Sequence, residues 1–163
     1  MTGKIIKYGD NISTDAIIAG KYTKTLNFQD LADHAMEDLD PEFKSKVAER
    51  KIIAAGSYFG CGSSREQAPT ALRVSGVQCI LAKEFARIFF RNAINVGLCV
   101  AECDTSLIDD GDEITFAPGD PFVVNHSKGI TIPVAAMPRI MVEILADGGV
   151  VNYLNNHNGQ LGE

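Results

Sequence analysis

The sequence predicts an α/β protein with an antiparallel β section, and three observations predict it. Between residues 51 and 101, short apolar runs alternate with segments of helical period in the order strand, helix, strand, helix, strand. Parallel strands need helical crossovers of that kind. From Glu113 to Val134 the helical period gives way to short alternating segments separated by turns, the pattern of antiparallel strands. With 163 residues, 45% of them hydrophobic, and no repeat or linker tract, the chain suits one domain spanning 1–163 around one core.

Lys4–Tyr8 is an apolar-leaning strand that runs into the turn Gly9-Asp10-Asn11. Asn11–Tyr22 mixes cap-type residues with a short apolar run and reads as a functional loop. Asn27–Met36 reads as a short helix. A second helix starts at Asp40-Pro41-Glu42, a cap followed by proline at the first helical position, and runs to about Glu49. Its acidic lead-in (Glu37, Asp38, Asp40, Glu42) reads as a solvated face that complements the helix dipole. Lys51–Ala55, Gln78–Ala82 and Leu98–Ala101 are the strands of the middle section, with helices over Ser64–Ser75 and Lys83–Asn95 between them. In the latter helix Phe85, Ile88, Phe89 and Ala93 form one stripe, and Arg87 and Arg91 another. Glu113–Ala117, Phe122–Asn125 and Gly129–Val134 are the antiparallel strands. Pro138–Ala146 closes as a helix, stopped at Asp147-Gly148-Gly149.

Charge and cysteine usage narrow the function. Fifteen basic against 21 acidic side chains leave a net charge of −6, which argues against nucleic acid or an anionic membrane as partner. No apolar run approaches bilayer length, and Met1–Asp10 has no signal-peptide core, so a cytoplasmic location is expected. Cys61, Cys79, Cys99 and Cys103 contain no C-x-x-C spacing, and His34, His126 and His157 are scattered. Reduced thiols and no metal site on this chain are the expectation.

The densest chemistry is Gly60-Cys61-Gly62-Ser63-Ser64-Arg65-Glu66, between a strand and a helix. One reading is structural: Ser63-x-x-Glu66 is a capping box, and the glycines permit the turn. The other is functional. Arginine in a first helical turn is disfavoured by the dipole and calls for an anion nearby. Two hydroxyls beside a fork-shaped guanidinium make a receptor for a small carboxylate or phosphate. The loop is neither a Walker A motif, since no Lys-Ser/Thr follows, nor a G-x-G-x-x-G fingerprint, since the third glycine is missing.

The stretch Tyr58–Pro69 resembles the F-G-x-G-S-S-R-E-H-A signature of the aconitase superfamily's swivelling domain. Asn11-Ile12-Ser13-Thr14-Asp15 resembles that domain's T-D motif, and Phe89–Leu98 its R-N-A-I-N-x-G-L stretch. Three motifs in the right order are specific, and the length matches the free-standing small subunits of the 3-isopropylmalate dehydratase and homoaconitase group. Gln67 departs from the pattern, standing where the family usually carries histidine.

The resemblance implies a layered β/α swivelling domain and a hydro-lyase. Such enzymes remove water from a hydroxy acid and add it back with the hydroxyl moved, here in leucine biosynthesis. It implies Ser63 as general base, Ser64 as a substrate contact and Arg65 as carboxylate clamp, with Thr14 and Asp15 lining or bracing the site. For Asp15 a turn-stabilising carboxylate is the competing reading. It further implies a 4Fe–4S cluster acting as Lewis acid. Its C…C-x-x-C ligands are missing here, so the cluster is expected on a large subunit in a hetero-oligomer, with a small di- or tricarboxylate as substrate. Cys61 is read as packing filler. Within Gly20–Thr25, the loop the family uses to read the variable substrate group, Lys24 fits neither the arginine nor the apolar pattern cleanly. It can pair with a carboxylate or lay its stem on an apolar group. Isopropylmalate is the leading substrate, with homoaconitate, dimethylmalate and citraconate as alternatives. A non-catalytic anion-binding module of the same fold is the reading from a different class.

Overall fold

The computed structural model describes residues 1–159. Its centre is a seven-stranded mixed sheet of β1 (Thr2–Lys7), β2 (Ile52–Ala55), β3 (Cys79–Ala82), β4 (Cys99–Glu102), β5 (Glu113–Thr115), β6 (Phe122–Asn125) and β7 (Ile130–Pro133), in the order β4-β3-β2-β1-β5-β6-β7. Strands β1 to β4 are parallel, with Ile5 opposite Ile52 and Cys79 opposite Cys99. Strands β5 to β7 are antiparallel, and β5 joins the other side of β1. The parallel strands β2 and β3 are buried along their whole length, as expected for strands covered on both faces.

One face packs against helices α4 (Gln67–Ser75), α5 (Arg87–Asn95), α6 (Arg139–Ala146) and α7 (Val150–Asn156), through a core that includes Ile53, Ile80, Leu72, Phe89 and Tyr153. On the other face Ile52, Leu81 and Ala101 share a second core with Ile114, Val123 and Ile132. The sheet therefore curls round that core as a half-barrel. A bridge between Cys103 and Val134 draws its two ends together.

Several sequence expectations need correction. The segment 11–22 is not simply a loop: α1 (Thr14–Ile17) forms there, capped by Ser13, whose hydroxyl accepts from the Ala16 amide at 3.1 Å, and a 3₁₀ turn follows at Gly20–Tyr22. Helix α2 (Phe28–Asp33) is shorter than expected. Helix α3 (Phe43–Glu49) begins two residues past Pro41. Helix α5 starts at Arg87 because Phe85 instead pairs with Phe59 as a β-bridge. Ile88, placed by its period in the core stripe, is half exposed. Helix α7 was not foreseen: the Gly148-Gly149 stop ends one helix, and Gly149 directly starts another.

Asp40 is not part of a solvated face. It is buried, accepts from Tyr8 Oη at 2.7 Å and from Lys46 Nζ at 2.9 Å, and ties α3 to the end of β1. Burial raises its carboxyl, but the bonds from Lys46 and Tyr8 outweigh that and hold it below the usual carboxylate range. Tyr8 is pushed well above the ordinary phenol by burial and by Asp40. Removing one donor from a buried carboxylate is costly. Tyr8→Phe should lower unfolding stability by roughly 1–2 kcal/mol at neutral pH in urea titrations. A carboxyl lowered by folding stabilises above its unfolded value and loses that contribution as pH falls through the folded one. The difference between wild type and variant should therefore narrow in acid, and a difference that widened there would contradict the assignment.

Candidate active site

Three loops leave the carboxyl ends of the adjacent parallel strands β1, β2 and β3, the edge where open α/β sheets bind ligands. They are stitched side by side. From the first loop to the second, Asn11 N donates to Ser57 O at 2.8 Å and Thr14 N to Cys61 O at 2.9 Å; in return Gly60 N donates to Ile12 O at 2.7 Å. Asp10 accepts from the Ser57 amide at 2.7 Å. Between second and third, Phe59 N donates to Glu84 O at 3.0 Å and Ala86 N to Phe59 O at 2.9 Å. Beneath them Phe59 and Phe89 pack edge to face, ring centres 5.3 Å apart.

Glycine is obligatory at one point of this seam. Gly60 has φ +81°, and a Cβ there would lie 2.1 Å from Phe89 Cγ. The turn thus lies directly on the aromatic cluster.

The structure brings four of the six predicted site residues together and braces them with a fifth. Ser63, Ser64, Arg65 and Thr14 line one cleft of about 330 Å³. Thr14 is buried, and its hydroxyl donates to the Ser63 carbonyl at 2.8 Å, fixing the serine's backbone. Ser63 and Ser64 are exposed, and among the described residues their hydroxyls make no hydrogen bond. Asp15 pairs with Arg65 through Nη1, which also lies 3.5 Å from the Ile18 carbonyl. Lys24 is not in the cleft: it is exposed on the neighbouring loop, whose Thr23 carbonyl accepts from Gln67 Nε2 at 3.2 Å.

Here too the sequence reading needs correction. Helix α4 begins at Gln67, with Glu66 as its cap residue and no side-chain capping bond. Ser63 and Glu66 therefore form no capping box, and Arg65 precedes the helix instead of lying in its first turn. Cys61 is half-buried between Gly60 and Gly62 and serves the seam through its carbonyl. Arg87 and Arg91 were read only as a polar stripe, yet both line the cleft. Their i, i+4 spacing placed them on one face; only the bridge that starts α5 late could show that this face looks onto Ser63.

Among the described residues, no three of His, Cys, Asp and Glu converge as metal ligands. Cys79, Cys99 and Cys103 are buried in the core away from the seam, where burial pushes the Cys103 thiol up to about 12. Among the described residues the cysteines thus offer no ligand set that fits an iron–sulfur cluster.

Fold and site define the class: an α/β domain that gathers serine hydroxyls and arginines in one cleft at the end of its sheet. Residues 3–105 match the family model described as the aconitase C-terminal domain. The chain is 51% identical over 158 residues to the 3-isopropylmalate dehydratase small subunit 2 of Archaeoglobus fulgidus, covering 96% of each. It is 44% identical over 155 residues to the 2,3-dimethylmalate dehydratase small subunit of Eubacterium barkeri, covering 94% of this chain and 95% of the relative. The solved structure of 3-isopropylmalate dehydratase from Methanocaldococcus jannaschii matches with a TM-score of 0.90 at 44% identity, over 96% of this chain and 94% of that one. The chain belongs to the aconitase C-terminal domain family.

The seam makes a direct prediction. Gly60→Ala combines a positive φ with a clash against Phe89, and should cost roughly 2–4 kcal/mol in denaturant unfolding. A loss under about 1 kcal/mol would show that the turn can move off the aromatic cluster without strain.

Proposed function

We propose that this chain is the small subunit of a hydro-lyase of the 3-isopropylmalate dehydratase type, one swivelling domain over 1–163 that works in the cytoplasm with a large subunit. It interconverts 2-isopropylmalate and 3-isopropylmalate in leucine biosynthesis. One observation carries the chemistry: in a chain of net charge −6, the cleft round Ser63 is lined by Arg65, Arg87 and Arg91 and, among the described residues, by no carboxylate, Asp15 reaching Arg65 from outside the lining. Such a lining selects a small polyanion. The 4Fe–4S cluster belongs to the large subunit in this reading, because the ligands are missing here.

Each residue then has a task. Ser63 takes the proton from the substrate carbon next to the hydroxyl-bearing one. That C–H pair becomes the new C=C bond as the hydroxyl takes up a proton and leaves as water, and re-addition of water in the opposite sense moves the hydroxyl. Serine is a weak base in water, and the surrounding guanidinium groups favour its ionised form. Arg65 uses Nη1 for Asp15, so its remaining N–H groups stay available to clamp a substrate carboxylate. Ser64 donates to the same carboxylate. Asp15 holds the guanidinium in place, and Thr14 holds the Ser63 backbone. Lys24 reads the variable group of the substrate from the loop beside the cleft.

A second reading keeps this site and changes the substrate. The Eubacterium barkeri relative is named for 2,3-dimethylmalate at 44% identity, and dimethylmalate offers the same two carboxylates with smaller apolar groups.

Site-directed variants of the reconstituted enzyme test the roles. Ser63→Ala should lower kcat roughly 100-fold or more with little change in KM, since a general base acts in the transition state. Arg65→Lys should chiefly raise KM by losing the bidentate grip. A nearly neutral Ser63→Ala would show that Ser63 is not the base and has only a structural part in the turn.

A further inference from the structure

Gln67 is the first residue of α4, two positions after Arg65 and four after Ser63. The chemistry above gives it no task. Its side chain nonetheless crosses to the neighbouring loop, where Nε2 donates to the Thr23 carbonyl at 3.2 Å. That carbonyl belongs to the peptide joining Thr23 to Lys24. Because a peptide is planar, holding its oxygen fixes the plane from which Lys24 departs.

The rest of the loop shows what this bond adds. Thr23 Oγ1 donates to the Gly20 carbonyl at 2.8 Å, and Thr25 Oγ1 to Asp30 at 3.1 Å. The first sets the loop's own shape, the second ties its far end to α2, and Tyr22 is held by stacking on His34. None of these holds the Thr23 carbonyl. At its entry the Arg65 guanidinium lies 3.5 Å from where a Cβ on Gly20 would stand, so the loop starts close beside the clamp. The Gln67 bond is made from the start of a nine-residue helix packed into the core, so it refers the loop to the same rigid element that follows the serines.

We infer that Gln67 is a positioning residue: its amide ties the Thr23–Lys24 peptide to α4 and so sets the loop that reads the substrate against Ser63 and Arg65. This rests on the functional reading above. A carboxamide suits the task, since it donates a hydrogen bond and carries no charge at any pH. A glutamate would set a carboxylate against the carbonyl, and a leucine would keep the bulk but lose the donor. Histidine retains a ring N–H that can donate to the same oxygen. The departure from the family pattern therefore keeps a donor and gives up a titrating group.

Two measurements on Gln67→Leu, Gln67→Glu and Gln67→His test the inference. Thr23 and Thr25 amides donate to the Gly20 and Tyr22 carbonyls, so their hydrogen exchange, followed by NMR on the chain alone, reports loop opening. The leucine and glutamate variants should exchange there roughly five-fold faster than wild type, the effect of one lost neutral hydrogen bond. In the reconstituted enzyme KM should rise by a similar factor, with kcat within about two-fold. Histidine should restore both. Unchanged exchange in the leucine and glutamate variants would overturn the tether. So would a fall in kcat at constant KM, which marks a part in the chemistry, or a histidine variant as impaired as the leucine one. The exchange arm needs no substrate, so it judges the tether independently of what the enzyme turns over.

Discussion

The site depends on the seam that joins the loop after β1 to the loop after β2. Neither loop forms a regular element along most of its length, yet their backbone groups are paired with each other: Asn11 with Ser57, Ile12 with Gly60, Thr14 with Cys61. An isolated glycine-rich loop loses much conformational freedom on ordering. Pairing each loop with its neighbour supplies the hydrogen bonds that offset this loss and fixes both at once. Thr14 then reaches Ser63, and Asp15 reaches Arg65. The fifty-residue gap between the two motifs closes because β1 and β2 are adjacent parallel strands.

The parallel half of the sheet thereby explains the position of the chemistry. β1, β2 and β3 end together, and all three following loops contribute: Thr14 from the first, the serines and Arg65 from the second, Arg87 just past the third. The antiparallel half takes no part in the cleft. It curls the sheet round the second core and covers the face of β2 and β3 that helices leave open. Arginines gathered on one rim of an acidic chain make a local positive field that its net charge conceals.

Much of this was legible in the sequence, for identifiable reasons. Ile52–Ala55 and Cys79–Ala82 are continuous apolar runs because both faces are covered, and such runs are hard to hide. The serines and arginine stood out because the residue types are chemically specific. What the sequence concealed was set by tertiary partners. Asp40 looked solvated, since nothing local shows that Tyr8 and Lys46 converge on it. Ser63-x-x-Glu66 matched a capping box, but the seam holds the Ser63 backbone out of the helix and α4 starts four residues later. Arg87 and Arg91 could be put on one helix face but not on the cleft. The Gln67 bond to Thr23 spans 44 residues and has no local signal.

In the proposed function this chain supplies a serine–arginine half of a site whose remainder lies on a second polypeptide. The most direct measurement is turnover of 3-isopropylmalate by the purified chain alone, by a cluster-bearing large subunit alone, and by the two mixed. Turnover is expected only in the mixture, rising to a plateau as the chain is titrated in. Turnover by this chain alone, or by the large subunit at the same rate without it, would contradict a site divided between two polypeptides.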